Sequence, residues 1–183
     1  MNKLFNLKAA LVAAAMLVLP VAQAATMTKA DYDAGKTRIS ADYKADNAAC
    51  AGQAGNAKDI CVEEAKAKEK VARAELEYAH TGKSGDRNKV LVAKAESAYA
   101  VAKQKCDDQT GNAKDVCVKE AKAIEIKALA DAKMGKEMGE ARTNAAEDKR
   151  DADYKVAIEK CNGLSGDAKA NCVAAVKTKF GKN

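Results

Sequence analysis

The stretch that organises this chain of 183 residues is GNAKDICV at residues 55–62, which returns as GNAKDVCV at residues 111–118. A weaker copy, GDAKANCV, occupies residues 166–173. The copies start 56 and 55 residues apart, so a unit of about 55 residues occurs three times. Self-similarity at a fixed period indicates a repeat architecture in which each unit is one supersecondary element.

Each repeat also contains two cysteines that are 11 residues apart, and a tyrosine seven residues before the first of them. EAKA recurs at residues 64–67 and 120–123, and ADYK recurs at residues 41–44 and 152–155. We expect the tyrosines to pack over the seam between helices. The cysteines are Cys50, Cys61, Cys106, Cys117, Cys161 and Cys172, and the tyrosines are Tyr43, Tyr99 and Tyr154.

A repeat of this composition predicts two helices joined by a tight turn. The first helix ends close to its cysteine, where Gly52 or Gly163 suits a left-handed helix C-terminus. The second helix is expected to begin at a polar residue whose side chain accepts a hydrogen bond from a free backbone N–H. The candidate N-caps are Asn56, Asn112 and Asp167.

This geometry predicts three disulfide bonds, each within one repeat. Because the two cysteines of a repeat flank its turn, their sulfur atoms lie at similar depth on antiparallel helices, as a disulfide requires. Zinc coordination is disfavoured, since zinc ligands usually lie two to four residues apart and the chain has a single His. The predicted pairs are Cys50–Cys61, Cys106–Cys117 and Cys161–Cys172.

The composition indicates long helices around a thin core. Ala, Lys, Glu, Arg and Leu make up about half of residues 25–183, which is typical of long helices and coiled coils. Leu, Ile, Val and Phe make up only about one residue in eight, so little apolar area is available for burial. A disulfide that closes a loop of this length contributes ~3 kcal/mol, and three such bonds offset the thin core.

The far ends of the hairpins decide how the helices are arranged. TGKSGD at residues 81–86 predicts a turn between the first and second repeats. MGKEMG at residues 134–139 favours a second turn, which would place all three disulfides at one end of the molecule. The alternative is one helix from about residue 113 to residue 160, ~70 Å long.

The predicted fold is therefore all-α, with three tandem disulfide-clamped antiparallel helical hairpins. They form a six-helix up-down bundle or a short α-solenoid. The expected segments are residues 1–24 for a signal peptide, 25–80 for the first hairpin, 81–134 for the second and 135–183 for the third.

The amino terminus is typical of a cleaved signal peptide. Lys3 and Lys8 precede an apolar run at residues 9–21, and Ala22-Gln23-Ala24 forms a small-x-small cleavage site. The apolar run is shorter than the ~20 residues that span a bilayer. We therefore expect an exported periplasmic protein with no integral membrane segment after cleavage. An even number of cysteines forms disulfides in that compartment.

Few residues are candidates for a catalytic or ligand-binding role. His80 is the one histidine, and at a predicted helix C-terminus its expected role is to complement the helix dipole. Gly82-Lys83-Ser84 resembles the end of a phosphate-binding loop, but Glu77 stands where that motif needs its first glycine. We predict no catalytic, cofactor-binding or metal-binding residue and no enzymatic activity.

The net charge of +6 does not predict specific nucleic-acid binding. Basic and acidic residues are interspersed along the chain without a dense basic block, as on a solvated helix face. The expected partners are proteins of the cell envelope, and the oligomeric state stays open.

The repeats combine ADYK, a cysteine, GNAKD followed by Ile or Val and CV, and EAK, and the chain also contains KVARAELE at residues 70–77. With this combination of motifs the chain resembles an uncharacterised family of exported proteobacterial proteins. Its members are often labelled cell envelope biogenesis protein TolA. The resemblance extends over almost all of residues 25–183, and the family brings no catalytic residues.

These observations lead us to expect a non-enzymatic structural or protein-interaction role in the periplasm or cell envelope. The alternative is a periplasmic chaperone-like or stress protein that holds clients on its helical faces.

Overall fold

The computed structural model describes residues 27–182, which form five α-helices and one turn of 3-10 helix, with no β-strand among them. The all-α prediction is confirmed, while the expected signal peptide at residues 1–24 lies outside the described residues. None of the described helices is long and apolar enough to cross a membrane. The helices are α1 (Lys29–Ala49), α2 (Gly55–Thr81), α3 (Ser84–Cys106), α4 (Gly111–Asn162) and α5 (Gly166–Phe180), and the 3-10 turn is Cys50–Gly52.

Among the described residues, each helix packs only against the helices next to it in the sequence. α2 contacts its two neighbours through different sides, since Leu76 meets Gly35 of α1 whereas Lys70 pairs with Glu96 of α3. α3 lies along the first half of α4, and α5 folds back on the last part of α4. The molecule is therefore a layer of antiparallel hairpins, as in a short α-solenoid.

The turn predicted at residues 134–139 does not form. α4 continues through this stretch as one helix of 52 residues, about 78 Å long, which is the alternative that the sequence left open. Two glycines cost a helix only ~1 kcal/mol each relative to alanine. Residues 140–153 contain alanine as their only apolar residue type, so they have no large side chain to bury by folding back.

This continuity changes the place of the third hairpin. The boundary expected between residues 134 and 135 falls inside α4, and the helix count of the described residues is five instead of six. Residues 140–153 of α4 are exposed. Within this stretch, Arg150 donates a hydrogen bond to the Phe180 carbonyl oxygen and Asp151 pairs with Lys182. Cys117 and Cys161 are separated by 44 residues of one helix, ~66 Å by the helical rise. The third disulfide therefore lies far from the other two, contrary to the expectation of one shared end.

The starts of the second helices also differ from the prediction. Asn56, Asn112 and Asp167 lie inside the first helical turn and are not N-caps, and Gly52 and Gly163 do not have the left-handed backbone expected of them. In each hairpin the second helix instead begins at a glycine with positive φ, a conformation that glycine adopts without steric cost. These glycines are Gly55 (φ 58°), Gly111 (φ 58°) and Gly166 (φ 55°).

The core is as thin as the composition predicts. The residues with less than 2 % exposure are cysteines, namely Cys50, Cys106 and Cys161. The other buried apolar residues are small or β-branched, and neither α1 nor α5 contains a buried residue. These two helices are thus attached by half-buried contacts, ion pairs and disulfides. The other buried apolar residues are Ala65, Val90, Ala93, Ala95, Ala121 and Ala132.

Candidate functional site

The three disulfides join the helices that the sequence predicted. Cys50–Cys61, Cys106–Cys117 and Cys161–Cys172 each connect the two helices of a hairpin, with Cα atoms 5.7 Å apart. No free cysteine occurs among residues 27–182. Three intact disulfides fit an oxidising compartment, and paired sulfur atoms offer no thiolate nucleophile.

Asn56 links the first and second hairpins at their disulfide end. Its Nδ2 donates hydrogen bonds to the Gln104 carbonyl oxygen (3.1 Å) and to Asp108 Oδ1 (2.7 Å). Its Oδ1 accepts one from Gln104 Nε2 at 2.9 Å. Because a glycine takes over the start of α2, this side chain is free to bond across to the end of α3.

His80 lies in the last turn of α2, at the opposite end of the layer. Its Nδ1 is 3.0 Å from the Met27 carbonyl oxygen, and its ring stacks on Tyr32 with centroids 4.5 Å apart. The Tyr32 hydroxyl donates to Glu77, and this hydrogen bond raises the pKa of Tyr32. His80 thus fastens the start of α1 to the end of α2, a structural use of the residue.

The repeat tyrosines lie half-buried between helices, as their spacing predicts. Tyr43 lines the seam between α1 and α2. The Lys122 ammonium lies 4.7 Å from the centre of the Tyr99 ring, and Tyr154 meets Phe180 edge-on with centroids 5.7 Å apart. Each tyrosine therefore connects two paired helices.

The outer surface of α4 exposes large apolar side chains. Ile124 is 66 % exposed and Ile126 is 57 % exposed, while Glu125 between them is buried and pairs with Lys122. Met134 and Met138 are 55 % and 50 % exposed. This surface was not predicted from the sequence, although an acidic residue flanked by two isoleucines at residues 124–126 indicates it.

Among the clefts between neighbouring helices of residues 27–182, two involve α3. A shallow groove of about 490 Å³ between α2 and α3 is lined by small apolar residues such as Val71 and Val101. A smaller cleft of about 160 Å³, which we call the α3–α4 cleft, lies between the start of α3 and the middle of α4. α3 contributes Arg87, Asn88 and Leu91 to it, and α4 contributes Gly135, Lys136 and Gly139.

A turn at residues 134–139 would exclude the α3–α4 cleft, so the sequence prediction does not contain it. Its signal in the sequence is the spacing of Gly135 and Gly139, which are four residues apart and therefore lie on one face of a helix. No group of three or more His, Cys, Asp or Glu side chains in residues 27–182 is arranged to hold a metal ion.

No family model, curated protein or solved structure matches the chain.

Proposed function

We propose that the protein is a non-enzymatic structural or protein-interaction component of the cell envelope, exported to the periplasm. The observation that supports this best is the course of α4. It extends beyond the α1–α3 layer as an exposed stretch at residues 140–146, which we call the bare part of α4, and ends in the third hairpin. A helix that is polar on every side typically bridges two parts of a structure through solvent. Such a helix suits a spacer that holds two binding surfaces apart.

The exposed apolar side chains of α4 supply a surface for a protein partner. Ile124, Ile126, Met134 and Met138 lie within 15 residues of one helix and are each at least half exposed. Full burial of such a side chain contributes ~1.5–3 kcal/mol. Methionine adapts its shape to different partners, as on other protein-binding surfaces.

Export to the periplasm is supported by the signal-like residues 1–24 and by three disulfides. The resemblance to exported proteobacterial proteins points to the same compartment. The proposal of a non-enzymatic role is supported by His80, whose ring is held between Met27 and Tyr32 instead of lying beside a nucleophile.

Site-specific photocrosslinking in the periplasm tests the interaction role. A benzophenone side chain replaces Ile124 or Met138 in two variants, and Ala146 in the bare part of α4 in a matched control. We expect one partner to be captured from both apolar positions and not from position 146. The purified partner should then bind the parent protein and lose at least tenfold in affinity for Ile124→Asp. Capture at none of the positions contradicts the proposal.

A chaperone-like role is the second candidate, and the groove between α2 and α3 favours it. The apolar lining of this groove includes Ala67, Val71 and Val101, so the groove offers exposed apolar surface to an unfolded segment of a client protein. Light scattering with an aggregating client protein tests this role. No suppression of aggregation at a stoichiometric amount of protein would remove it.

A further inference from the structure

The α3–α4 cleft concentrates positive charge. Arg87 and Lys136 line it from opposite helices. Within residues 27–182 the Arg87 guanidinium forms no ion pair, whereas Lys136 Nζ lies 3.7 Å from Glu140 Oε1 in an exposed pair. The cleft also lies at the first turns of α3, where Asp86 already complements the helix dipole. Arg87 is therefore the unpaired charge of the cleft among the described residues, and it favours an anion.

The remainder of the cleft is apolar. Leu91 contributes a side chain that is 44 % exposed, and Gly135 and Gly139 contribute bare backbone. A purely inorganic anion would leave this apolar part uncovered. An anion that carries a short aliphatic chain covers both parts of the cleft.

Gly135 and Gly139 keep the cleft open. No atom lies within 4 Å of the position that a Cβ would take at either glycine, so close packing against α3 does not require glycine there. Both have ordinary helical backbone, since neither has a positive φ, and glycine is among the least favourable residues in a helix. Larger side chains at these two positions would occupy the cleft.

Asn88 adds an unused hydrogen-bonding group beside Arg87. Its Oδ1 is buried and has no hydrogen-bond partner within residues 27–182. Because this oxygen is out of reach of a ligand, the part of the amide that lines the cleft is Nδ2, with its two N–H donors. A carboxylate accepts hydrogen bonds from such donors and from a guanidinium.

We propose that the α3–α4 cleft binds a free short-chain aliphatic carboxylate. The carboxylate bonds to Arg87, Lys136 and Asn88, and the aliphatic chain covers Leu91 and the two glycines. The volume of about 160 Å³ equals that of about five liquid water molecules, which limits the chain to about four or five carbon atoms. This site is independent of the partner surface on α4 around Ile124.

Titration of the full-length oxidised protein with 3-methylbutanoate, followed by amide NMR at constant ionic strength, tests the proposal. We expect saturable shifts at Arg87, Asn88, Gly135 and Gly139. The neutral analogue 3-methylbutanamide should bind at least tenfold more weakly, because it lacks the charge. Shifts that do not saturate, or equal affinity for both compounds, would overturn the proposal.

Substitutions of the cleft residues test whether 3-methylbutanoate binds in the α3–α4 cleft. Gly139→Leu fills the cleft and should abolish saturable binding, with Gly135→Leu as a second filling variant if the first does not fold. Arg87→Gln should weaken binding about tenfold. Lys133→Gln removes the same charge from α4 outside the cleft and should change the affinity less than twofold. Unchanged affinity in a folded filling variant would show that the ligand binds elsewhere.

N-acetylleucine distinguishes the source of the carboxylate, because it imitates the last residue of a protein chain. We expect it to bind more weakly than 3-methylbutanoate, since its acetamide exceeds the volume of the cleft. Binding of N-acetylleucine alone would overturn the proposal in favour of a protein C-terminus.

Discussion

Three of the roles that glycine has within residues 27–182 differ in backbone conformation and in the neighbouring atoms. Gly55, Gly111 and Gly166 have positive φ and begin the second helix of each hairpin. Gly35 permits a close approach, since a Cβ added there would lie 2.7 Å from Leu76 Cδ1. Gly139 has open space around it in the middle of α4. The same substitution should therefore have different effects at these positions.

Gly35→Ala and Gly139→Ala form a matched pair. Both exchange a helical glycine for alanine, which by itself stabilises a helix by ~1 kcal/mol. We expect Gly139→Ala to show this gain in chemical denaturation. Gly35→Ala should show less of it or a net loss, because its methyl group displaces Leu76. An equal gain from both variants would contradict the close contact between α1 and α2.

Asp86 stabilises the turn between α2 and α3. Lys89 Nζ lies 2.8 Å from its Oδ1, and the Thr81 hydroxyl donates to its Oδ2 at 2.6 Å. The hydrogen bonds from Lys89 and then Thr81 lower the pKa of Asp86 below its usual value of 3.8. Because the folded pKa lies below the unfolded pKa, this stabilisation is present above about pH 4 and is lost as the pH falls through the folded value.

Asp86→Asn should therefore lower the melting temperature at pH 7 by a few degrees. The difference from the parent protein should shrink as the pH falls toward 2, because the parent carboxyl group becomes neutral as well. NMR titration of the carboxyl group should give a pKa below 3.8 for Asp86, and Lys89→Gln should raise it. A difference in melting temperature that persists undiminished at pH 2 would assign the effect to something other than charge.

At the level of elements, α4 determines the length of the molecule. Its 52 residues span about 78 Å, and residues 140–146 are exposed along their whole length. Small-angle X-ray scattering should give a maximum dimension of at least about 80 Å. A hairpin at residues 134–139 would give a much shorter particle.

Ala146→Pro tests the continuity of α4. Proline removes one helical hydrogen bond and clashes with the preceding turn, at ~3 kcal/mol or more. Because residue 146 is exposed and unpacked, the hairpins should survive while the scattering profile changes and the longest distances decrease. Ala146→Gln, which a helix accepts, is the matched control. An unchanged profile in the proline variant would show that the bare helix does not set the particle length.

The third hairpin depends on its disulfide more than the second does. α5 has 15 residues and none is buried, whereas α3 and α4 are also held by buried residues such as Val90, Ala93 and Ala121. Removal of one disulfide withdraws a constraint of ~3 kcal/mol. The loss should therefore release α5 but leave α3 on α4.

Hydrogen exchange on two double variants measures this difference. In the Cys161→Ser, Cys172→Ser variant, the amides of α5 should exchange at least tenfold faster than in the parent. In the Cys106→Ser, Cys117→Ser variant, the facing parts of α3 and α4 should keep most of their protection. Equal loss in both variants would mean that buried alanine contacts contribute little to the second hairpin.

For the whole molecule, the thin core predicts strong dependence on oxidation. Three short-loop constraints of ~3 kcal/mol each rival the ~5–15 kcal/mol of an ordinary domain. Reduction should therefore lower the melting temperature steeply or abolish cooperative unfolding, while some helical signal persists because alanine and lysine favour helix. Far-UV circular dichroism against temperature, with and without reductant, measures this. Cooperative melting of both forms within a few degrees would show that packing carries the fold.

The sequence by itself determined the all-α fold class, the pairing of the six cysteines and the thin core. These features depend on composition and on spacing along the chain. A turn flanked by two cysteines 11 residues apart brings both to the same depth of one hairpin, so the pairing needs no information from distant residues. The small size of the buried side chains likewise follows from the scarcity of large apolar residues.

Only the tertiary structure decided whether residues 134–139 turn, where the third disulfide lies and whether a cleft exists between α3 and α4. Local sequence at Gly135 and Gly139 is compatible with a turn and with a helix, since the free-energy difference per glycine is only ~1 kcal/mol. The outcome depends on whether residues 140–153 gain apolar contacts by folding back. They have no large apolar side chain to bury, so α4 stays continuous and its two glycines face the start of α3.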